Sequence, residues 1–293
     1  MHTGPRTFLP RYSMRDSERR QPVVGAWMLL LHFLLDSPKV IAEAVRVYRD
    51  AGRDSTQAMN TWTRSIGKEE IKGQIWFRSI LGVAVLVVML LLAGGRLTYW
   101  QAWIYIGINV FFIGLTNWLL RDNPSLMQER IFPGRGVKAW DRVYAAVYTP
   151  LCFLSLVIAG LDAGRNHWTG RLPLFFYLAV VIAYCVGQSL MLWAKRANRF
   201  FSSVVRIQVD RGQTVCCNGP YRYCRHPGYL GGLTFGLTAP LLLGSIVALI
   251  PAALAALMLV VRTALEDKTL LAELEGYRPY ANTVRSRLLP HIW

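Results

Sequence analysis

One run of 34 residues without a charged side chain, residues 228–261, constrains the fold more than any other feature of this chain. A helix that crosses the hydrocarbon core of a bilayer needs about 20 mostly apolar residues, so a single helix of ordinary tilt cannot use the whole run. Pro240, Gly244 and Pro251 lie near its middle. The run is therefore predicted to form a helical hairpin with arms at about 228–243 and 246–262, turning near residues 243–245. Because each arm is short, one of them can stop short of a full crossing.

Four further apolar stretches precede the hairpin and are long enough to span a bilayer. They are residues 76–94, 99–120, 144–161 and 172–194. Together with the hairpin they predict an all-α fold, a multi-pass transmembrane bundle of about six helices with a short C-terminal tail.

The charge of the chain agrees with a membrane protein. The sequence is 53% hydrophobic and 17% charged, where a soluble domain has about a quarter of its residues charged. The formal net charge of +16 leaves two classes, a nucleic-acid binder or a membrane protein with its basic residues on one side. Thirty of the 33 Lys and Arg residues lie in residues 1–78, the loops 121–142 and 195–227, and the tail from 262. They border apolar spans, so no nucleic-acid binding is expected.

The basic residues also predict an orientation. The alternate loops hold only Arg96, Arg165 and Arg171. Such an asymmetry follows the positive-inside rule with both termini in the cytoplasm, and in a bacterium it predicts the inner membrane. The chain is expected to divide into a basic N-terminal extension at 1–75, four transmembrane helices at 76–194 and a catalytic region at 195–293. Within the extension, residues 23–35 are too short for a confident span, and residues 38–50 can form a basic amphipathic helix on the membrane surface.

The five cysteines are expected to be structural. Cys152 and Cys185 lie in spans, and Cys216, Cys217 and Cys224 lie in one loop without zinc-ligand spacing. No metal is therefore predicted, and a reducing cytoplasm disfavours a disulfide.

Polar residues concentrate at the two ends of the predicted hairpin. Where the loop meets the fifth span, residues 225–229 read Arg-His-Pro-Gly-Tyr. Proline suits the first position of a helix, whose exposed N–H groups favour an anionic ligand group. His226 and Tyr229 are three residues apart and can face one site, while Arg262 and Glu266 share a face at the hairpin exit. The hairpin thus brings two polar clusters to one cytoplasmic mouth.

Each of these residues also has a structural interpretation. Arg262 and Glu266 can form a helical pair worth a few tenths of a kcal/mol, Arg225 can be a snorkelling anchor, and His226 can cap local backbone. The combination of the two spacings favours a functional site.

At these residues the chain resembles the isoprenylcysteine carboxyl methyltransferase family of integral membrane enzymes. The resemblance covers about 190–293, and a segment at 123–142 is similar to bacterial members. The matching elements are Asn198-x-Phe200, Val204-Val205, Gly219-x-Tyr221, Arg225-His226-Pro227-x-Tyr229, Arg262-x3-Glu266, Tyr277-x2-Tyr280 and Arg287-Leu288-Leu289-Pro290. Two departures stand out: Asp267 follows Glu266 where the family often has a second glutamate, and the first 70 residues have no counterpart.

The resemblance implies methyl transfer from S-adenosylmethionine to a lipophilic small molecule or lipid, with membrane lipids as neighbours. It implies that His226, Tyr229 and Glu266 contact the cofactor and that Arg262 lies near the reacting groups. Further residues would shape the cofactor pocket, namely Gly219, Tyr221, Arg225, Pro227 and Tyr277. Glu266 and Arg262 are the predicted catalytic residues.

Three alternatives remain open from the sequence. A phospholipid N-methyltransferase would use the same cofactor, but an amine must lose a proton before it attacks, which requires a general base such as His226 or Glu266. An NADPH-dependent reductase of the sterol-reductase type shares the Arg-His-Pro-x-Tyr block, although the hairpin exit of this chain is closer to the methyltransferase pattern. A non-enzymatic membrane protein would not need the two polar clusters.

Overall fold

The computed structural model describes residues 68–131, 133, 136–290 and 292–293. The expectations for residues 23–35 and 38–50, and most of the predicted extension 1–75, lie outside the described residues.

The described chain is helical and contains no β-strand. Its α-helices in chain order are α1 Lys68–Gly94, α2 Trp100–Leu120, α3 Pro124–Ile131, α4 Ala139–Ala159, α5 Leu174–Ala197, α6 Pro227–Leu242, α7 Leu249–Glu273 and α8 Tyr277–Thr283. A π-helical segment, Gly160–Asn166, continues α4, and two 3-10 turns, Val209–Arg211 and Gly219–Arg222, interrupt the long loop before α6. The predicted all-α class is confirmed.

Five of these helices are long and apolar enough to cross a membrane. They occupy Gly73–Gly94, Trp100–Leu120, Ala139–Asn166, Leu174–Ala197 and Leu249–Glu273. Helix α6 has 16 residues, which at about 1.5 Å per residue reach about 24 Å, less than a hydrocarbon core of about 30 Å. The predicted bundle of about six helices thus consists of five full-length spans and one short arm of the hairpin, as expected for a hairpin with short arms.

The hairpin turns where its sequence predicts. Gly244 has φ +86°, a left-handed conformation that glycine adopts without steric cost. The buried Tyr99 hydroxyl donates a hydrogen bond to the carbonyl of Leu243 at 2.5 Å. Ser245 donates to the buried carboxylate of Asp162 at 2.6 Å. These bonds fasten the turn to the π-helical segment and to the start of α2.

Helices α5 and α6 pack against each other through glycines. A Cβ added at Gly187 would lie 2.7 Å from the backbone nitrogen of Phe235, and one at Gly231 would lie 2.6 Å from the Gly187 carbonyl oxygen. Only small residues allow backbones to approach this closely within a membrane. The contact sets the second and third turns of α6 against the C-terminal half of α5.

The basic loops meet at one end of the bundle. Lys138, before α4, pairs with Glu273 at the end of α7 at 2.7 Å. The Lys138 amide donates to the carbonyl of Val205 in the 198–226 loop at 3.0 Å. At the opposite end, Arg165 donates to the carbonyls of residues 92 and 93. The loops with most of the basic residues thus share one face, as the alternating charge pattern requires; that this face is cytoplasmic remains a prediction from charge.

Candidate active site

A polar cleft opens at the basic end of the bundle. The long loop 198–226, the first turn of α6, the C-terminal half of α7 and helix α8 form its walls. It encloses about 780 Å³ including its open mouth. Six of the nine residues predicted from the sequence line it, namely Tyr221, Arg225, His226, Tyr229, Glu266 and Tyr277.

The other three predicted residues, Gly219, Pro227 and Arg262, lie outside the lining of the cleft. Gly219 has φ +58°, and a Cβ there would lie 3.1 Å from the Trp193 indole nitrogen. Glycine thus lets the loop pass α5 and begin the 3-10 turn that includes Tyr221. Pro227 is buried at the first position of α6, as its sequence context predicts. Gly219 and Pro227 therefore shape the cleft without facing it.

Glu266 and Tyr229 form one side of the cleft. The Tyr229 hydroxyl donates a hydrogen bond to Oε2 of Glu266, while Oε1 accepts none from the described residues. The His226 ring stacks on the Tyr229 ring with centroids 5.6 Å apart and planes 3° from parallel. The free carboxylate oxygen makes Glu266 the acidic group that is available to a ligand in this cleft.

Asp267 has a different environment from its neighbour Glu266. Its carboxylate is fully buried. Arg225 donates to both of its oxygens at 2.8 Å, Arg287 and Tyr277 donate at 2.9 Å each, and His226 Nε2 lies 3.3 Å away. Every lone pair is occupied by the protein, so Asp267 holds the walls of the cleft in place and is not available to a ligand.

The C-terminal tail is part of this arrangement. The amides of Arg225 and His226 donate to the carbonyls of Ser286 and Arg287 at 3.0 and 2.9 Å. Nη1 of Arg225 also donates to the Arg285 carbonyl at 3.0 Å. Burial and the nearby Asp267 charge raise the pKa of Tyr277 well above its ordinary value, so its hydroxyl remains a hydrogen-bond donor at neutral pH. The tail therefore holds the end of the 198–226 loop and the start of α6 in place beside the cleft.

Arg262 is paired within the protein. Its Nε donates to Oδ1 of Asp141 in α4 at 2.8 Å, and its Nη2 donates to the Ser203 carbonyl at 3.0 Å. The guanidinium lies over the Tyr144 ring at 4.7 Å and over the Tyr229 ring at 5.2 Å. The same aspartate accepts the amide of Val205 at 2.7 Å. Asp141 thus fixes both Arg262 and the cleft-lining loop.

A second cavity lies directly below this layer, inside the apolar part of the bundle. It encloses about 540 Å³ between α2, α4, α6 and α7. Leu233, one turn beyond Tyr229, and Leu259, one turn before Arg262, line it together with residues such as Cys152. Tyr229 and Arg262 therefore separate a polar cleft from an apolar cavity.

No role was predicted from the sequence for two acids that organise the site, Asp141 and Glu129, although both lie in the 123–142 segment that resembles the family. The chain has only 17 acidic residues, and an acid at the border of a span is expected to have a cationic partner. Glu129 pairs with Arg206 at 2.6 Å, with both side chains buried, and so anchors the loop on its far side. The small number of acidic residues was therefore the signal that could have pointed to Asp141 and Glu129. It does not identify the cationic partner of either acid.

The sequence also led to expectations about the cysteines and about metal ions. The five cysteines are unpaired thiols. Across residues 68–131, 133, 136–290 and 292–293, no group of three or more His, Cys, Asp or Glu side chains is placed to hold a metal ion.

The five apolar helices indicate an integral membrane protein with a polar cleft at the basic end of its bundle. Residues 178–272 match the model of the Isoprenylcysteine carboxyl methyltransferase (ICMT) family, so this part of the chain is similar to that family of membrane methyltransferases. The match runs from α5 through most of α7 and includes all the predicted site residues except Tyr277. Among curated proteins, none matches the chain.

Proposed function

We propose that this protein transfers a methyl group from S-adenosylmethionine to the carboxylate of a lipophilic acceptor at the membrane surface. The observation that supports this most strongly is the position of Tyr229 and Arg262 between a polar cleft and an apolar cavity. A reaction between a water-soluble donor and a hydrocarbon-bearing acceptor needs two such compartments with their reacting ends adjacent.

The residues of the cleft fit the methyl donor. When bound, S-adenosylmethionine supplies a methyl group carried on a positively charged sulfonium, and its amino group is also a cation. Glu266 presents an unpaired carboxylate oxygen to the cleft, which suits a cationic group. The aromatic side chains of Phe200, Tyr221 and Tyr280 also line the cleft, and they offer faces for a flat heterocycle. We assign Glu266 and Tyr229 to donor contact.

The remaining predicted residues act through the shape of the cleft. The side chains of Arg225 and His226 both contact the Asp267 carboxylate. We therefore assign them the role of holding the start of α6 and the tail together. Tyr277 donates to the same carboxylate. We propose that these residues position the walls against which the donor binds.

The apolar cavity suits the hydrocarbon part of an acceptor. Its lining is mainly Leu, Ala, Gly and aromatic side chains. Nη1 of Arg262 takes part in none of the bonds to Asp141 and Ser203, and it is the donor that we assign to the acceptor carboxylate. Because Asp141 fixes the guanidinium, Arg262 can orient the acceptor at little cost in side-chain entropy.

Carboxyl methylation also makes the smallest demand on proton transfer. A carboxylate is ionised at pH 7 because its ordinary pKa is about 4, so alignment and the exclusion of water supply the catalysis. An amine acceptor needs a free base, whereas Nε2 of His226 already contacts Asp267 and the open oxygen of Glu266 is assigned to the cationic donor. This difference favours the carboxylate over the amine of a phospholipid.

The test is transfer of a labelled methyl group by purified protein to a membrane lipid extract, followed by mild alkali. A methyl ester releases the label as volatile methanol, whereas an N-methyl group keeps it. We expect alkali-labile product, reduced about tenfold or more in Glu266→Gln by loss of one charge-assisted hydrogen bond. Alkali-stable product would assign an amine acceptor, and the absence of product from all lipid fractions would contradict the proposal.

A further inference from the structure

A third cavity, separate from the cleft and its apolar neighbour, lies on the other side of α5. It encloses about 940 Å³ including its opening and is formed by α1, α2, α3 and α5. None of its lining residues is shared with the other two cavities. Lys195 is two residues from the end of α5, so the mouth of this cavity lies at the basic end of the bundle, at the depth of lipid headgroups.

The lining of this cavity is positively charged. Arg78 of α1, Arg130 of α3 and Lys195 of α5 face it, and no Asp or Glu among the described residues does. The three cations come from three different helices, so they are brought together only when the bundle folds. Like charges brought together in a poorly solvated space repel one another and lose hydration, so such a cluster is costly without an anion.

Lys195 and Arg130 have no anionic partner in the described part of the chain. Neither Lys195 nor Arg130 forms a hydrogen bond or ion pair there, and the Arg130 guanidinium lies 5.8 Å from the centroid of the Phe201 ring. Arg225 and Arg262, by contrast, are each bound to a buried carboxylate. The protein thus pairs its buried arginines internally at the active site and leaves Lys195 and Arg130, two of the three cations of this cavity, open to a ligand.

Neutral polar side chains complete the walls. Asn117 donates to Ser79 at 3.1 Å, and Asn109 accepts hydrogen bonds from Tyr184 at 3.0 Å and from Gln188 at 3.4 Å. These carboxamides already form hydrogen bonds with each other and with neighbouring helices. The negative charge of a ligand would therefore be neutralised by the cations of the cavity.

The depth of the cavity indicates a lipid ligand. Asn109 lies eight residues before Asn117 on α2, a rise of about 12 Å, so the cavity extends from the headgroup level towards the hydrocarbon core. Ile75, Phe112 and Ile113 also line it. Basic pockets between transmembrane helices on the cytoplasmic side are a recognised form of headgroup site. We propose that this cavity binds the phosphate of an anionic phospholipid, with Lys195 and Arg130 as its ligands.

The experiment measures lipid binding to the full-length protein in neutral detergent, without any methyl donor, so that its outcome is independent of the methyltransferase proposal. The probes are phosphatidylglycerol, phosphatidylcholine and inorganic phosphate. Binding of each probe is measured by native mass spectrometry and by the shift in the apparent melting temperature. The variants are Lys195→Gln, Arg130→Gln and their double substitution. Arg196→Gln is the matched control, because it removes the same charge from an exposed neighbour on the same helix.

We expect phosphatidylglycerol, but neither phosphatidylcholine nor inorganic phosphate, to bind and to stabilise the wild-type protein. Each substitution at Lys195 or Arg130 should weaken this binding about fivefold and the pair about thirtyfold, whereas Arg196→Gln should leave it unchanged. Lys195→Arg, which retains the charge, should retain the binding. Equal losses in Lys195→Gln and Arg196→Gln would overturn the site, and equal stabilisation by inorganic phosphate would overturn its assignment to a lipid.

Discussion

Asp267 and Glu266 are adjacent acids, and the structure predicts opposite consequences when each is changed to its amide. Asp267→Asn removes the charge that faces Arg225, whose side chain is 8% exposed, and that also holds Arg287. Removing one partner of a buried ion pair costs about 3–5 kcal/mol, because the other charge stays buried without compensation. For a protein of this size the cost corresponds to a fall of roughly 10 °C in the apparent melting temperature.

Glu266→Gln makes the same chemical change one residue earlier. It alters one hydrogen bond, from Tyr229, at a partly buried carboxylate that faces the cleft. The stability should therefore change by no more than about 1.5 kcal/mol, whereas methyl transfer should fall by tenfold or more.

The assay is a thermal unfolding scan of both variants in the same detergent, combined with limited trypsin digestion. Because the 284–287 backbone is bonded to Arg225 and His226, Asp267→Asn should expose the tail to cleavage after Arg285 and Arg287, and Glu266→Gln should not. Equal melting temperatures and equal digestion of the two variants would refute the structural role of Asp267.

Three further outcomes follow from other contacts. Arg262→Ala should lower activity and also the free energy of unfolding by about 3–5 kcal/mol, because it leaves Asp141 buried without its cationic partner. An unchanged melting temperature in Arg262→Ala would contradict this pairing. Asp141→Asn should lose activity, because it releases the Arg262 side chain. Gly231→Ala should destabilise the α5–α6 contact, since the new Cβ would lie 2.6 Å from a carbonyl oxygen of α5; normal expression and melting temperature would contradict this packing. Burial raises the pKa of Cys224 to about 11, so at pH 8 alkylation of Cys224 should be much slower than that of the exposed Cys217, and mass spectrometry of the labelled peptides checks this order.

The architecture of the bundle was largely predictable from charge-free runs. The 228–261 run predicted both the hairpin and its turn at Gly244, because a bilayer limits helix length. The length of the second arm of the hairpin, helix α7, was not predictable from the charge-free run. Helix α7 continues to Glu273, eleven residues past the predicted end at 262, because charged residues end an apolar run without ending a helix; in this extension Asp267 pairs with Arg225.

The candidate site was predictable in its residue types but not in its pairings. The Arg-His-Pro-x-Tyr block and Glu266 were found from their spacing, and the structure brings them to one cleft. The partner of Arg262 lies 121 residues away in the sequence, and neither periodicity nor spacing reports a contact of that separation. The sequence left the role of Asp267 open, and only the packing of the tail around this residue distinguishes it from Glu266.

The most direct test of the methyltransferase assignment is ligand binding to the purified wild-type protein. S-adenosylhomocysteine and NADPH should be compared by isothermal titration, with Glu266→Gln as the site control and Arg196→Gln as the charge control. We predict that S-adenosylhomocysteine binds to the wild type and to Arg196→Gln, that its affinity falls about tenfold or more in Glu266→Gln, and that NADPH does not bind. Binding of NADPH in place of S-adenosylhomocysteine would contradict the assignment and indicate a reductase.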